Sequence, residues 1–483
     1  MTATQLAYDA WLLPGLDPEE VIDWYTVPDV SVDDQPLRFP RLSSGQLEQV
    51  LDRLTAARQQ YLVTATTRQL IDLIDATRAR WLDYTFPWRA AAERILPTIT
   101  GYTLAMVRRG LDDYLSLFKR DNLKALVRAE LGDLDILDQF RERRIVPGRS
   151  RAFGPALTTH VFSGNVPGLP AQSLIAALLL KSASFGKLAA GEPVFAGLFA
   201  RSLIELEPRL SDCFAVTWWP GGAAPEVEAI AFARSQAVIA YGGETAIRSI
   251  AERIPAGVRF LPYGHKLSFG VIGREGLINE IKARQLASRA AYDVAKFDQQ
   301  GCVSPHLFYV EAGGEISPHS WARLLAAELA RFGRNMPRGR LAPSDSAAVA
   351  SFRRDVDFRA SLDPDALALL TAPDADGGAT VVFDADPTFT GSCLNRTVLV
   401  KPLAQAEAII ELLQPVRAFV QTAALALDPL RRDALAGRLG AAGVTRICPL
   451  GKMPDPDLAW HHDGRFNLLD LVYWADIEEG YPL

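Results

Sequence analysis

Thr159-His160-Val161-Phe162-Ser163-Gly164-Asn165-Val166-Pro167-Gly168 decides the fold. A short strand-like run enters a turn of Ser, Gly, Asn and Pro, and an apolar helical stretch, Ala171 to Leu180, follows at once. The unit then repeats. Ala183 to Lys187 reads as a strand and Val194 to Leu206 as a helix. Phe214 to Trp218 is a strand closed by Trp219-Pro220-Gly221-Gly222, with a helix around Glu226 to Ala233. Ala237 to Ala240 is a strand closed by Tyr241-Gly242-Gly243-Glu244-Thr245, Ala246 to Ile254 is helical, and Val258 to Leu261 ends the series. Strands alternating with helices across short Gly-rich turns imply an α/β fold, a parallel sheet with helices on both faces. Ligands of such sheets sit beyond the carboxyl ends of the strands, where these turns lie. None of the turns has G-x-G-x-x-G spacing, so the pattern is a nucleotide fold without the dinucleotide fingerprint.

Upstream, residues 1 to 150 read as a helical region. Ser43 or Ser44 caps a helix carrying Leu47, Val50, Leu51 and Leu54, and Leu70, Ile74 and Trp81 repeat the helical spacing. A third helix has Asp121 as its N-cap and Gly132 as its stop. Downstream, Leu267 to Ile272 opens a second α/β unit. The helical pattern of Ile281 to Val294 leads into Lys296-Phe297-Asp298-Gln299-Gln300-Gly301-Cys302-Val303-Ser304-Pro305-His306, and an apolar run, Leu307 to Val310, comes next. One thiol thus stands on a loop between a helix and a strand, where a nucleophile meets its substrate. Arg334 to Asp345 is rich in Arg, Pro, Gly and Asp, and Ala372 to Gly378 reads as a loop. Val398 to Pro402 and Val416 to Gln421 read as strands, with a helix from Ala404 to Leu413 between them. The expected division is 1–150 helical, 151–262 Rossmann-like, 263–455 catalytic, and 456–483 a tail returning to the active site or to an oligomer interface.

The totals narrow the classes. A formal net charge of -6 over 483 residues, without a long Lys/Arg run, gives no attraction to nucleic acid. Met1 to Glu20 lacks the basic start of a signal peptide, and Lys181 interrupts the longest apolar stretch before it could span a membrane. The expectation is a cytoplasmic protein. Cys213, Cys302, Cys393 and Cys448 show no C-x-x-C spacing, and the histidines form no ligand pattern, so no metal site is expected.

Three segments together carry a resemblance: Phe162 to Pro167, Tyr241 to Thr245, and Asp298 to His306, with His462-Asp463-Gly464 and Trp474 to Glu478 in the tail. The chain resembles the acyl-CoA reductase component of the bacterial bioluminescence fatty-acid reductase complex, a divergent branch of the aldehyde dehydrogenase superfamily. That resemblance implies a Rossmann-like cofactor domain beside an α/β catalytic domain, and assembly as a homo-oligomer. It makes Cys302 the thiolate that attacks an acyl thioester, and Asn165, with the Cys302 backbone N–H, the oxyanion holder. It places Lys187 on the cofactor's adenosine ribose and Ser163, Gly164, Gly221, Gly243 and Glu244 in the cofactor turns. The superfamily's ribose-binding Glu is replaced by Ala190, which favours NADPH over NADH. The Glu that activates water in hydrolytic members is replaced by Pro262, and a second superfamily Glu, which fixes the nicotinamide ribose, would fall near Gly391 and is missing too. Without that base an acyl-Cys302 survives for hydride rather than water. His306 and His462 are candidate general acids, with His265 a third. The implied substrates are thioesters of CoA or acyl carrier protein, and the implied partners an acyl ligase or transferase subunit. An NAD(P)-dependent aldehyde dehydrogenase and a non-catalytic scaffold are the alternatives.

Overall fold

The computed structural model describes residues 10–32, 34–371 and 378–479, and these build four sheets. The N-terminal region contains a hairpin that the helical reading did not anticipate, β1 (Trp24–Val32) with β2 (Gln35–Pro40). Its aromatic and β-branched residues suit a half-buried strand, and Asp34, left-handed at φ 62°, helps turn the chain. Five helices follow: α1 (Ser44–Ala57), α2 (Thr67–Trp81), α3 (Pro87–Thr100), α4 (Leu104–Leu115) and α5 (Arg120–Leu131). Ser43 caps α1 in a reciprocal box with Gln46. The start of α5 differs from expectation. Lys119 is the extended residue ahead of the helix, and Asp121 lies inside the first turn, where its carboxylate faces the positive end of the helix dipole. The apolar faces of these helices pack onto the next layer. Trp81 is fully buried, its Nε1 donates to Ser202 Oγ at 2.7 Å, and its ring meets Phe195 and Phe199.

After β3 (Arg141–Glu142) and β4 (Arg149–Phe153) comes the first parallel sheet: β5 (Leu157–Val161), β6 (Ala183–Lys187), β7 (Phe214–Thr217), β8 (Ala237–Tyr241) and β9 (Arg259–Tyr263). Between them run α6 (Pro170–Leu179), α7 (Phe195–Leu206), α8 (Pro225–Arg234) and α9 (Glu244–Ala251). The order is β7-β6-β5-β8-β9. It changes direction between β5 and β8, so the turns after these two strands flank the crevice in which such sheets bind ligands.

The second sheet holds β10 (Leu267–Ile272), β11 (Pro305–Glu311), β12 (Leu367–Thr371), β13 (Thr380–Asp384), β14 (Thr397–Leu403), β15 (Val420–Ala426) and β16 (Arg446–Pro449). It is parallel apart from β12, in the order β12-β13-β14-β11-β10-β15-β16. The helix α10 (Glu280–Ala295) connects β10 to the Cys302 loop. Two expectations shift here. The segment from Val416 opens with a 3₁₀ turn, Gln414–Val416, because Pro415 has no amide to give a ladder, and the strand begins only at Val420. The helix expected from Ala404 is a 3₁₀ turn, Ala406–Ala408, followed by one short helical turn, Ile409–Leu412. Most of the loop expected at Ala372 to Gly378 lies outside the described residues. In the tail, β17 (Tyr473–Ile477) pairs antiparallel with β4. Among the described residues no helix is long and apolar enough to cross a membrane.

Candidate active site

A cavity of about 810 Å³ is lined by residues from both parallel sheets. Ser163, Gly243 and Lys266 reach it from the carboxyl ends of the first sheet, and Cys302 and Gln421 from the amino ends of the second. Helix α4 and the C-terminal tail close it, through Tyr114, His462 and Asp463 among others.

The thiol loop is built against backbone preference. Phe297, Asp298 and Gln299 stand at φ 52°, 49° and 67°, a left-handed run of non-glycine residues that costs about 1–2 kcal/mol each. A second such run, Leu394, Asn395 and Arg396, stands at φ 59°, 56° and 61°. Buried polar bonds tie one run to the other. Arg396 Nε donates to Asp298 Oδ1 at 2.8 Å, and the Gly339 N–H donates to Asp298 Oδ2 at 2.9 Å. Gln299 Nε2 donates to the carbonyls of Pro305 at 2.7 Å and Thr397 at 2.8 Å, while its Oε1 accepts from the Thr397 N–H at 2.8 Å. Gln300 Nε2 donates to Asn395 Oδ1 at 2.7 Å. The surroundings over-determine the strained loop, which holds Cys302 in one place.

Cys302 is partly buried, and its Sγ meets Gln421 Nε2 at 3.6 Å. Burial first, and the nearby Asp463 carboxylate second, push the thiol up to about 11, while Gln421 and the backbone N–H groups of Cys302 and Val303 act in the opposite sense. Asp463 accepts from Gln421 Nε2 at 2.5 Å and lies 3.8 Å from Lys266 Nζ. None of Gln421, Asp463 and Lys266 was given a chemical role from the sequence, although Asp463 stands in the tail segment that carries the resemblance. The signal available was a glutamine inside an otherwise apolar strand run, Val420-Gln421-Thr422-Ala423-Ala424, since a buried polar side chain needs a partner. Asp463 also qualifies the argument from Pro262, because a carboxylate does stand near the thiol. Its two oxygens already face Gln421 and Lys266.

Asn165 sits on the turn after β5. Ser163 Oγ donates to its Oδ1, which turns the NH₂ end toward the thiol loop, where Nδ2 donates to the Gln300 carbonyl at 2.7 Å. An amide nitrogen has a second N–H, which has no protein acceptor among the described residues. Tyr102 Oη, buried in the N-terminal region, donates at 2.7 Å to the Asn165 carbonyl and lies 3.0 Å from that of Phe297, bracing both halves of the site.

His306 and His462 also line the cavity. The Ser392 N–H donates to His306 Nδ1 at 3.1 Å, so the ring proton is on Nε2. Burial, then the neighbouring His265, hold His306 down at about 4. His462 stacks on Tyr263 and Trp460, with ring centroids 4.3 and 4.8 Å away, and burial holds it too at about 4. Both are neutral near pH 7.

The remaining expected residues lie off the cavity wall. Gly164 fits tightly, since a Cβ there would come 2.7 Å from the Glu192 nitrogen. Lys187 Nζ lies 3.0 Å from Glu228 Oε1 and over the Trp219 ring. Glu228, on α8, accepts as well from Trp219 and Arg253. A carboxylate therefore does accompany Lys187, supplied by Glu228 rather than at position 190. Gly221 is exposed, and Glu244 turns out to Arg248 at 2.7 Å.

The acyl-CoA reductase (LuxC) family model matches residues 62–474. A long-chain acyl-protein thioester reductase of Vibrio harveyi is 23% identical over 464 residues, covering 94% of this chain and 90% of the relative. Among solved structures, an oxidoreductase of Marinobacter aquaeolei superposes with a TM-score of 0.72 at 14% identity, covering 95% of each chain. The Delta-pyrroline-5-carboxylate dehydrogenase of Mycobacterium tuberculosis gives 0.70 at 14% identity, covering 99% of this chain and 91% of that one. At such identities the structural likeness shows the fold, which is that of the aldehyde dehydrogenases.

Proposed function

Since the chain belongs to the acyl-CoA reductase family, we propose that it reduces an acyl thioester to the aldehyde, with NADPH as reductant and Cys302 as the acyl carrier. The observation that carries this reading is the convergence of the Cys302 thiol and the Asn165 side chain, with its spare N–H, on one cavity that the Gly242-Gly243 turn also lines.

Cys302, as thiolate, attacks the thioester carbonyl and displaces the carrier thiol, while Asn165 and the Cys302 N–H donate to the oxyanion. One such donor is worth about 3 kcal/mol in acyl transfer. A reduced nicotinamide bound beside the Gly242-Gly243 turn would supply the hydride that the acyl carbon on Cys302 needs to become an aldehyde. Asn165 holds the oxygen again, and departure of the Cys302 thiolate frees the aldehyde. Thiolates leave without a general acid, so His306 and His462 serve as neutral polar lining, and the consumed proton ends on the carrier thiol.

The cofactor turn fits such a group. Gly243 precedes α9 with open space where a Cβ would stand, and the Glu244 carboxylate is turned away, so no charge opposes a phosphate there. At the carboxyl ends of the first sheet, Lys187 and Arg253 share the single carboxylate of Glu228, an excess of positive charge that supports a 2′-phosphate and hence NADPH. The relative's name supports a long-chain acyl group on a protein, which an acyl carrier protein or an acyl ligase or transferase subunit would present, with acyl-CoA as the soluble equivalent. Aldehyde oxidation is the second reading, favoured by Asp463 as a base for water, and is opposed by the engagement of both its oxygens.

Incubation with decanoyl-CoA in the absence of NADPH, followed by intact mass, tests the proposal. The wild type is expected to gain one decanoyl group and Cys302→Ala none, and NADPH is expected to discharge the adduct with stoichiometric oxidation. No adduct on the wild type overturns the proposal. An adduct lost to water but not to NADPH supports the second reading.

A further inference from the structure

Gln421 occupies the second position of β15 with 1% of its surface exposed, and its Nε2 faces two groups, Cys302 Sγ at 3.6 Å and Asp463 Oδ1 at 2.5 Å. The amide nitrogen has one hydrogen for each. Turned over, the amide would set its oxygen against a carboxylate and a thiolate, so the Asp463 carboxylate determines which end meets sulfur. Gln421 Oε1 is buried without a partner among the described residues, a cost that packing alone does not explain. The adjoining residue secures the other end of the nucleophile. The Thr422 N–H donates to Ser268 Oγ at 3.3 Å, and Ser268 Oγ donates to the Cys302 carbonyl at 2.9 Å. Asp463 stands at φ 54° in the tail turn His462–Gly464.

We propose that Gln421 and Asp463 are positioning residues for Cys302: the Gln421 amide donates to the thiolate, and Asp463 holds that amide in place. The inference rests on Cys302 being the nucleophile. A thiolate is a far better acceptor than the sulfur of a thioester. The donor therefore favours Cys302 before acylation. It favours it again when the S–C bond of the reduced acyl group breaks, the electron pair returns to sulfur and the carbonyl re-forms. Other titratable groups also line the cavity, among them His265, Lys452 and Asp457. Burial keeps Tyr114 and Tyr241 protonated, and His306 and His462 are neutral. Lys266 faces Asp463, and the cavity's Asp113 and Asp455 pair with Lys296. Asp463 is the carboxylate whose charge reaches the sulfur.

The test is the pH profile of Cys302 alkylation by iodoacetamide in the full chain without cofactor, followed by intact mass, with Cys302→Ala reporting any labelling of other thiols. Gln421→Met keeps length and loses the donor. Its profile is expected to move up by about one unit, cutting the rate at pH 8 about tenfold. Asp463→Asn keeps an acceptor for Gln421 and suits the left-handed turn, but loses the charge. Its profile is expected to move down and alkylation at pH 8 to quicken. A merely structural role does not shift the two variants in opposite directions. Profiles that stay in place or move together overturn the proposal. Asp463 lies in a partly exposed turn, so the Asp463→Asn arm decides by itself if the Gln421→Met variant fails to fold. Alkylation needs neither thioester nor NADPH, so its outcome is separate from that of the acyl-adduct experiment.

Discussion

The thiol loop and the Gly242-Gly243 turn, where we place the cofactor, line the same cavity and are built in opposite ways. Residues 297–299 are held in left-handed backbone by a buried Asp298–Arg396 ion pair and by side-chain amides of this loop that bond across to residues 395–397. Residues 242–244 carry two glycines and an exposed glutamate whose partner is its own helical neighbour, Arg248. In the proposed reaction Cys302 must sit where an incoming carbonyl will find it, and a loop set before substrate arrives serves that role. A cofactor that enters and leaves is served by open backbone. Strain and buried charge are therefore concentrated on one side of the cavity, and the comparison can be broken there first.

The largest effect is expected from Asp298→Ala. It leaves Arg396, itself 2% exposed, as an uncompensated buried charge and frees the Gly339 N–H. Loss of one partner of a buried pair costs about 3–5 kcal/mol. The urea midpoint should fall accordingly, and acylation of Cys302 with it. A small change in both would mean that the left-handed run holds without its clamp. Asn165→Ala comes next and should divide the effects. Loss of one oxyanion donor predicts about a hundredfold slower acylation by decanoyl-CoA. The fold should lose the bonds to Gln300 and Ser163, each worth about 1 kcal/mol.

The same contrast explains what could be read without coordinates. The first parallel sheet was legible strand by strand, because short Gly-rich turns punctuate a regular alternation and each element is set by its local sequence. Cys302 was legible because a glycine, a thiol and a Ser-Pro turn are contiguous. The clamp was not. Asp298 and Arg396 meet over a long stretch of chain, and nothing in either segment names the other. Gln421 was hidden similarly: the strand expected from Val416 begins at Val420, so the faces of its residues could not be assigned. The β1–β2 hairpin was missed beside strong helical periodicity, although Trp24-Tyr25-Thr26-Val27 has strand character. Lys187 is instructive in the other direction. It stands at the end of its strand as expected, and Glu228 arrives from a different helix to pair with it.

A smaller effect is expected from pH. His306 titrates near 4 in the folded chain, chiefly through burial, against 6.5 for an exposed histidine. Between those values the unfolded chain binds a proton that the folded chain does not, so stability falls as the pH drops through the window from 6.5 toward 4. At pH 5 the loss from this one ring is about 2 kcal/mol. His306→Asn should remove that share. The difference between urea midpoints at pH 7 and pH 5 should then be smaller in the variant than in the wild type. Equal differences would place the acid sensitivity elsewhere, with the buried His160 and His462 as the remaining sources.

The smallest effects belong to the open side. Gly221 has nothing within 4 Å of a Cβ position, and its φ is not in the left-handed region, so Gly221→Ala should leave the thermal midpoint unchanged and NADPH binding within about twofold of the wild type. Glu244→Gln removes an exposed i,i+4 pair with Arg248, and such pairs contribute little. Titration of NADPH by fluorescence should again show a change of about twofold or less, because the carboxylate faces away from the cavity. Tightening by about tenfold or more would mean that the carboxylate swings in to face a phosphate when the cofactor binds. The turn would then be a charged, adjustable element, and the contrast with the clamped thiol loop would be one between two polar devices.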